Sequence, residues 1–177
     1  MDKITADNMF FLIAGVVIMV LGILNHFIYE WAHEVMAVKF FAATDESVFS
    51  HLKLVVWPWL LVFIIWILIQ EYYYNKRKKR KNYFSGVMGL LTYFAVLLCG
   101  FYFYTEALVI DHDLIIDIIL YFIAVIACML VWWGFSRYHI SFILDIFLVA
   151  VFTISIIIWM LSCSFLDNCA NIYSIPR

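Results

Sequence analysis

The sequence predicts an all-α protein, a polytopic transmembrane helix bundle with five spans, and its composition carries that prediction. Of the 177 residues, 67% are hydrophobic and only 14% are charged, and the mean hydropathy is +1.02. A soluble domain of this length carries about 25% charged residues, because water must wet its surface. A membrane β-barrel would need short segments of strictly alternating hydrophobicity, which this sequence lacks. The fold class that remains is a bundle of apolar helices in lipid.

Five apolar stretches each have the roughly 20 residues that one helical crossing of the bilayer requires. The predicted spans are residues 9–29, 52–74, 83–104, 114–134 and 140–162. The first stretch is too long for the core of a signal peptide and no small-residue cleavage site follows it, so we expect it to be retained. The length predicts one transmembrane domain over residues 1–177, and the short later connections predict antiparallel neighbouring helices.

The basic residues are unevenly distributed. Six of the eleven Lys and Arg residues form the run Lys76-Arg77-Lys78-Lys79-Arg80-Lys81 between the second and third spans. Such a run can bind nucleic acid, but a short basic loop between two spans more often marks the cytoplasmic side. We therefore predict a multi-pass protein of the plasma membrane with a cytoplasmic N-terminus and an extracytoplasmic C-terminus. The predicted partner is the lipid bilayer and not nucleic acid, and a homo-oligomer or another membrane-protein partner stays open.

The aromatic residues lie mostly near the predicted span ends. Aromatic belts at the membrane interface explain such positions without a cofactor or substrate. The residues assigned in this way include Trp57, Trp59, Tyr104, Trp132 and Trp133.

Ionisable side chains concentrate on the predicted outer side, which holds four of the five histidines. His26, Glu30 and His33 are four and then three residues apart, so on a continuing helix they would share one face. Ser47 and His51 lie one turn apart at the start of the second span. Two or three imidazoles with a carboxylate are a common ligand set for zinc or a similar divalent ion, and the same groups can pass protons.

These patterns define a set of candidate site residues. The candidates for ligand binding or proton relay are His26, Glu30, Glu46, Ser47, His51, Lys53 and Asp117. Among them, His26, Glu30 and His51 are the candidate metal ligands, with zinc as the candidate cofactor. The alternative interpretation is structural, since polar groups in outer loops can simply be solvated. His26, Glu30 and Asp117 lie at membrane depth, where an ionisable group costs roughly 2.5–3.5 kcal/mol and usually faces a partner or a cavity.

Two further features have structural interpretations. Cys163 and Cys169 lie close together in the tail on the predicted oxidising side, so the sequence predicts a local disulfide between them. Asp145 lies about one turn into the last span, where we expect it to pair with Arg137 or His139.

One segment carries a resemblance to a known family. The run Asp45-Glu46-Ser47-Val48-Phe49-Ser50-His51-Leu52-Lys53-Leu54, followed by Trp57-Pro58, is similar to the pattern Asn-Glu-Ser-Val-x-Glu-His-Leu-Lys before Trp-Pro. Together with Asn25 to Glu30, it resembles domain-of-unknown-function family 6512, an uncharacterised family of small bacterial membrane proteins. Ser50 replaces the second Glu of the pattern, so a ligand or base role of that Glu would not carry over. The resemblance implies a multi-span plasma-membrane protein, typically from Gram-positive bacteria, without an established activity.

Three functions fit these features. We favour a protein that binds or transports an ion or small ligand at an outward-facing site, where His26, Glu30, Glu46 and His51 converge. The first alternative is a membrane-embedded, metal-dependent hydrolase with Glu30 or Glu46 as general base. The second is a structural or accessory subunit of the immunity type. The sequence contains no His-Glu-x-x-His motif, nucleophile elbow or glycine-rich phosphate loop that would favour an enzyme.

Overall fold

The computed structural model of the chain describes residues 3–33, 35, 38–43, 48–77, 82–109, 113–138 and 140–165, with the side chains of 3–7, 73–77 and 163–165 excepted. Its helices are α1 (Lys3–Trp31), α2 (Val48–Arg77), α3 (Phe84–Tyr102), α4 (Leu114–Phe135) and α5 (Phe142–Phe165). All five are long and apolar enough to cross a membrane. The all-α class and the five predicted spans are therefore confirmed, and the chain is an integral, multi-pass membrane protein.

The second helix is longer than the apolar stretch that predicted it. α2 begins at Val48 and continues to Arg77, into the basic run, with Pro58 inside it. Lys and Arg are good helix formers, so a helix need not end where its apolar face ends. We call the side of the bundle on which α2 ends and α3 begins the basic end.

Within the described residues, two short elements lie outside the five α-helices. A 3-10 turn, Val38–Phe40, belongs to the connector between α1 and α2, which we define as residues 32–47. A π-helical turn, Phe103–Ala107, prolongs α3. Both elements lie on the side where α1 ends and α2 begins, which we call the histidine end.

α4 packs closely on α3 because α3 presents glycine to it. A β-carbon on Gly89 would lie 2.8 Å from the backbone oxygen of Cys128, and one on Gly100 would lie 2.3 Å from a methyl group of Leu120. Small residues let membrane helices approach in this way, and the gain is van der Waals contact rather than the release of water. Together with α1 and α2, these helices enclose the main apolar core.

Helices α1, α2 and α4 meet at Gly22. Because Pro58 has no N–H, the Leu54 carbonyl lacks its usual helical donor. A β-carbon on Gly22 would lie 3.1 Å from that carbonyl oxygen and 2.1 Å from the Tyr121 hydroxyl oxygen. The Tyr121 hydroxyl donates to two carbonyls of α1, at 3.1 and 3.2 Å. Only glycine therefore fits at this crossing without displacing a neighbour.

An aromatic cluster fills the half of the core nearer the basic end. Trp132 is fully buried, and its ring centroid lies 5.5 Å from that of Trp66 and 5.7 Å from that of Phe63. Phe11 and Trp59 contact the same indole at 5.7 and 6.3 Å. The assignment of Trp59 and Trp132 to interfacial belts is therefore wrong, because both side chains are core residues.

α5 lies beside the four-helix core and contacts mainly α3. Phe152 packs on Phe84, with 5.5 Å between ring centroids, and Trp159 packs on Phe94 at 5.7 Å. Most of the other α5 side chains with described positions are exposed on the outside of the bundle, as the surrounding lipid requires. α5 is therefore a peripheral helix attached along one face.

The attachment of α5 includes one polar contact. The Asp145 side chain is 2% exposed and accepts hydrogen bonds from the backbone amides of Tyr83 at 2.9 Å and Phe84 at 2.6 Å. These amides begin α3 and have no partner within their own helix, so Asp145 caps a neighbouring helix. The predicted pairing with Arg137 is not formed, because the Arg137 guanidinium lies over the Trp133 ring. His139 lies outside the described residues.

Candidate functional site

The connector folds back over the ends of α1 and α2, and Asn25 is one residue that holds it there. Asn25 lies on the inward face of α1 and is 5% exposed. Its side-chain amide is 3.1 Å from the carbonyl of Phe41 in the connector and 3.4 Å from the carbonyl of Lys53 in α2. One α1 side chain thus joins three chain segments.

Lys53 also anchors the connector. Its side chain is 1% exposed, although it belongs to a membrane-spanning helix. The ammonium donates to the carbonyl of Lys39 at 3.0 Å and lies 5.1 Å from the centre of the Phe49 ring. A carbonyl and an aromatic face are both favourable surroundings for a cation that has left water. In the structure Lys53 thus anchors the connector, and its predicted part in ligand binding stays a prediction.

Aromatic packing completes the attachment of the connector. The rings of Phe40 and Phe41 lie 5.0 and 4.7 Å from the Trp57 ring. Ala42 and Ala43, which follow in the chain, are buried. The described half of the connector is therefore a packed part of the protein.

Beneath this connector the structure brings His26 and His51 together. Their ring centroids are 6.1 Å apart, and both side chains are half-buried. His51 is positioned through its backbone, since its carbonyl accepts a hydrogen bond of 2.9 Å from the hydroxyl of the buried Tyr93. Zinc–nitrogen bonds of about 2.0–2.1 Å would place two imidazoles that share one ion roughly 5–6 Å apart, centre to centre. The observed separation of 6.1 Å lies just above that range.

Glu30 and His33 lie nearer the surface. α1 ends at Trp31, and His33 has a backbone φ of 53°, so the chain leaves the helical path there. The predicted shared face of His26, Glu30 and His33 therefore ends at Glu30, and both Glu30 and His33 are exposed.

Some predicted site residues cannot be placed. Glu46 and Ser47 lie outside the described residues, as do the side chains of Cys163 and Cys169. Within the described part of the chain, no group of three or more His, Cys, Asp or Glu side chains could hold a metal ion.

Asp117 belongs to a different polar pair. It is 6% exposed and accepts a 2.5 Å hydrogen bond from the hydroxyl of Tyr104, which lies in the π-helical turn. Tyr104 also packs with Val48 and Phe101 in a small apolar cluster. Tyr104 is thus a buried partner of Asp117 rather than a residue of an interfacial belt. Its hydrogen bond joins α3 to α4.

Sequence reasoning missed Asn25 and Tyr93. The inward residues of α1 recur with helical spacing as Phe11, Ala14, Ile18, Gly22 and Asn25. Asn25 falls on the same helical face as these inward residues, so its side-chain amide must find hydrogen-bond partners inside the protein. Its position on that face was the signal available in the sequence. Tyr93 lies in the middle of a span, too deep for an aromatic belt at the membrane interface. Its hydroxyl was therefore a sign of a hydrogen bond inside the protein.

These observations define a class of protein, a polytopic helical membrane protein with a buried polar region at one end and an aromatic core at the other. The chain belongs to the family of unknown function DUF6512, whose model matches residues 1–173. Comparison with curated proteins and with solved structures gave no match.

Proposed function

We propose that this membrane protein binds a small ion or ligand at its histidine end, with His26 and His51 as the central pair of the site. The observation that supports the proposal is the 6.1 Å separation of the two imidazole centres. Bringing two imidazoles together at the end of two otherwise apolar helices gives a site for a transition-metal ion. Zinc is the ion that we use to define the proposal, because its common protein ligands are imidazole, thiolate and carboxylate.

A carboxylate would complete this set. Glu30 lies one turn beyond His26 on α1, and Glu46 precedes α2 by two positions in the chain. Glu30 is described and forms no three-ligand group with the two histidines, so we propose Glu46 as the third ligand, with water in the remaining position. The anchoring of the connector by Asn25 and Lys53 would then keep the two helix ends at the spacing that the ion needs.

We favour binding over open conduction because of the aromatic cluster. Trp132 and the four aromatic side chains around it fill the core toward the basic end. An ion entering between His26 and His51 would meet this apolar packing, and transport would require the cluster to separate. We therefore propose a binding site that is open to one side of the membrane only.

Removing either histidine should weaken zinc binding by the purified full chain. Loss of an outer-shell partner alone typically costs about 10–100-fold in metal affinity, so loss of a ligand should cost at least about tenfold. Equilibrium dialysis against zinc, followed by elemental analysis, would measure the affinity for the unmodified chain and for His26→Ala and His51→Ala.

His33→Ala is the matched control, because His33 is an exposed histidine just beyond the end of α1. The control should bind zinc like the unmodified chain. Equal zinc affinity in all four proteins would contradict the proposal, and so would an equal loss in the control. The variants His26→Gln and His51→Gln would separate a lost ligand from lost folding, because glutamine keeps polarity without an imidazole.

We also propose that the histidine end faces away from the cytoplasm. The basic run and Arg137 both belong to the basic end, as expected for the cytoplasmic side of a plasma-membrane protein. In a background without native cysteines, Lys79→Cys should react with a membrane-impermeant maleimide only after the cells are permeabilised. Val109→Cys, at a position that is 82% exposed near the start of α4, should react in intact cells. The opposite labelling pattern would reverse the assignment.

A further inference from the structure

A hollow surface lies nearer the basic end, between α1 and α4 and away from the histidine pair. It is an apolar groove of about 330 Å³, which reaches from Asn8 to Met19 along α1 and includes Ile126 and Leu130 of α4. Eleven helical steps of about 1.5 Å make this groove roughly 16 Å long. The hydrocarbon core of a bilayer is about 30 Å thick, so the groove has the depth of one leaflet. These dimensions suit one acyl chain.

A second recess adjoins the groove. It has a volume of about 650 Å³ and shares Leu130 with the groove, and its other lining residues are Val131, Gly134, Phe135, Arg137 and Tyr138. Most of this lining is apolar, and Arg137 is the charged residue in it. A β-carbon on Gly134 would meet no atom within 4 Å, so the glycine leaves this surface open. The apolar groove and the recess that contains Arg137 thus meet at Leu130.

The Arg137 side chain contacts an aromatic ring at this junction. The carbon at the centre of its guanidinium lies 3.8 Å from the centre of the Trp133 ring. The Trp133 indole N–H donates to the side-chain oxygen of Asn8 at 2.9 Å, which ties the ring to α1. A guanidinium presents several N–H donors in one plane and binds phosphate oxygens in pairs. In this position Arg137 can bind the phosphate of a lipid whose hydrocarbon tail occupies the groove.

We propose that the groove and the recess together bind one phospholipid with an anionic headgroup, with an acyl chain along α1 and α4 and the phosphate on Arg137. Charge complementarity favours an anionic lipid, because the same end of the bundle carries the six-residue basic run. This site is separate from the histidine pair, and the two proposals can fail independently.

Native mass spectrometry of the full chain in detergent would test the headgroup. The protein would be offered equal amounts of phosphatidylglycerol and phosphatidylcholine with identical acyl chains. We expect about a fivefold preference for phosphatidylglycerol, the factor that one cation contributes at an anionic membrane surface. Arg137→Gln should abolish the preference, while Lys79→Gln, which removes the same charge from the basic run, should keep it.

A second pair of variants tests the acyl groove. Val16 lines the groove and is 54% exposed, so Val16→Trp should fill the groove and reduce the retention of both lipids. Ile13 is similarly exposed but does not line the groove, so Ile13→Trp should retain lipid normally.

Three outcomes would overturn the proposal. Equal retention of the two lipids would contradict the anionic headgroup. An equal loss of the preference for phosphatidylglycerol in Lys79→Gln and Arg137→Gln would indicate a diffuse attraction of the lipid to the basic end rather than a site at Arg137. A lipid-free dimer that dissociates in the Val16→Trp variant would show that a second copy of the chain, and not a lipid, occupies the groove.

Discussion

Replacing Trp132 with alanine should lower the free energy of unfolding by about 3–5 kcal/mol, the range for truncating a large buried aromatic side chain. The indole is fully buried and contacts four other aromatic rings, so its removal leaves a cavity in the core. In lipid, helices associate largely through such van der Waals contacts. Unfolding measured by steric trapping in bicelles would give the difference.

Trp31→Ala is the control for this experiment, because Trp31 is 64% exposed at the end of α1. The control should change the unfolding free energy by less than about 1 kcal/mol, as surface substitutions usually do. A Trp132→Ala protein as stable as the Trp31→Ala protein would show that the aromatic cluster contributes little to stability.

Asp145→Ala should destabilise the protein by about 2–6 kcal/mol, because it leaves one buried and one partly buried amide without a partner, each costing about 1–3 kcal/mol. The amides are those of Tyr83 and Phe84 at the start of α3. Asp145→Asn should lose less, since its side-chain oxygen can still accept a hydrogen bond. Hydrogen exchange at these two amides would report the loss of the cap directly.

Asp113→Ala provides the comparison. Asp113 caps its own helix by accepting hydrogen bonds from the amides of Ile115 and Ile116 at an exposed position. Loss of such a cap typically costs about 1 kcal/mol. An Asp145→Ala protein no less stable than Asp113→Ala would argue against a structural role for the contact between α5 and α3.

The number and type of helices could be predicted because the length of an apolar stretch is a property of the sequence alone. The meeting of His26 and His51 also followed, since consecutive antiparallel helices bring their joined ends together. The sequence could not show that α1 ends at Trp31, because the stopping point depends on how the connector packs against α2.

The roles of the aromatic and charged residues were harder to predict. Trp59 and Trp132 lie near span ends, and only the packing of α2 against α4 shows that they are core residues. The anchoring contact of Lys53 could not be predicted, because its acceptor is a backbone carbonyl fourteen positions away, and any residue can supply a carbonyl. Such non-local partners leave no residue-type signal in the sequence.

The connector contacts have a consequence for the order in which the chain assembles during synthesis. Asn25 and Lys53 find their partners at Phe41 and Lys39, so the hairpin of the first two helices can satisfy these costly polar groups before the rest of the protein exists. The contact of Tyr121 with Ile18 spans 103 positions and must wait until α4 has entered the membrane. The contacts among α1, α2 and the connector can thus form first, and the interface between α1 and α4 forms later.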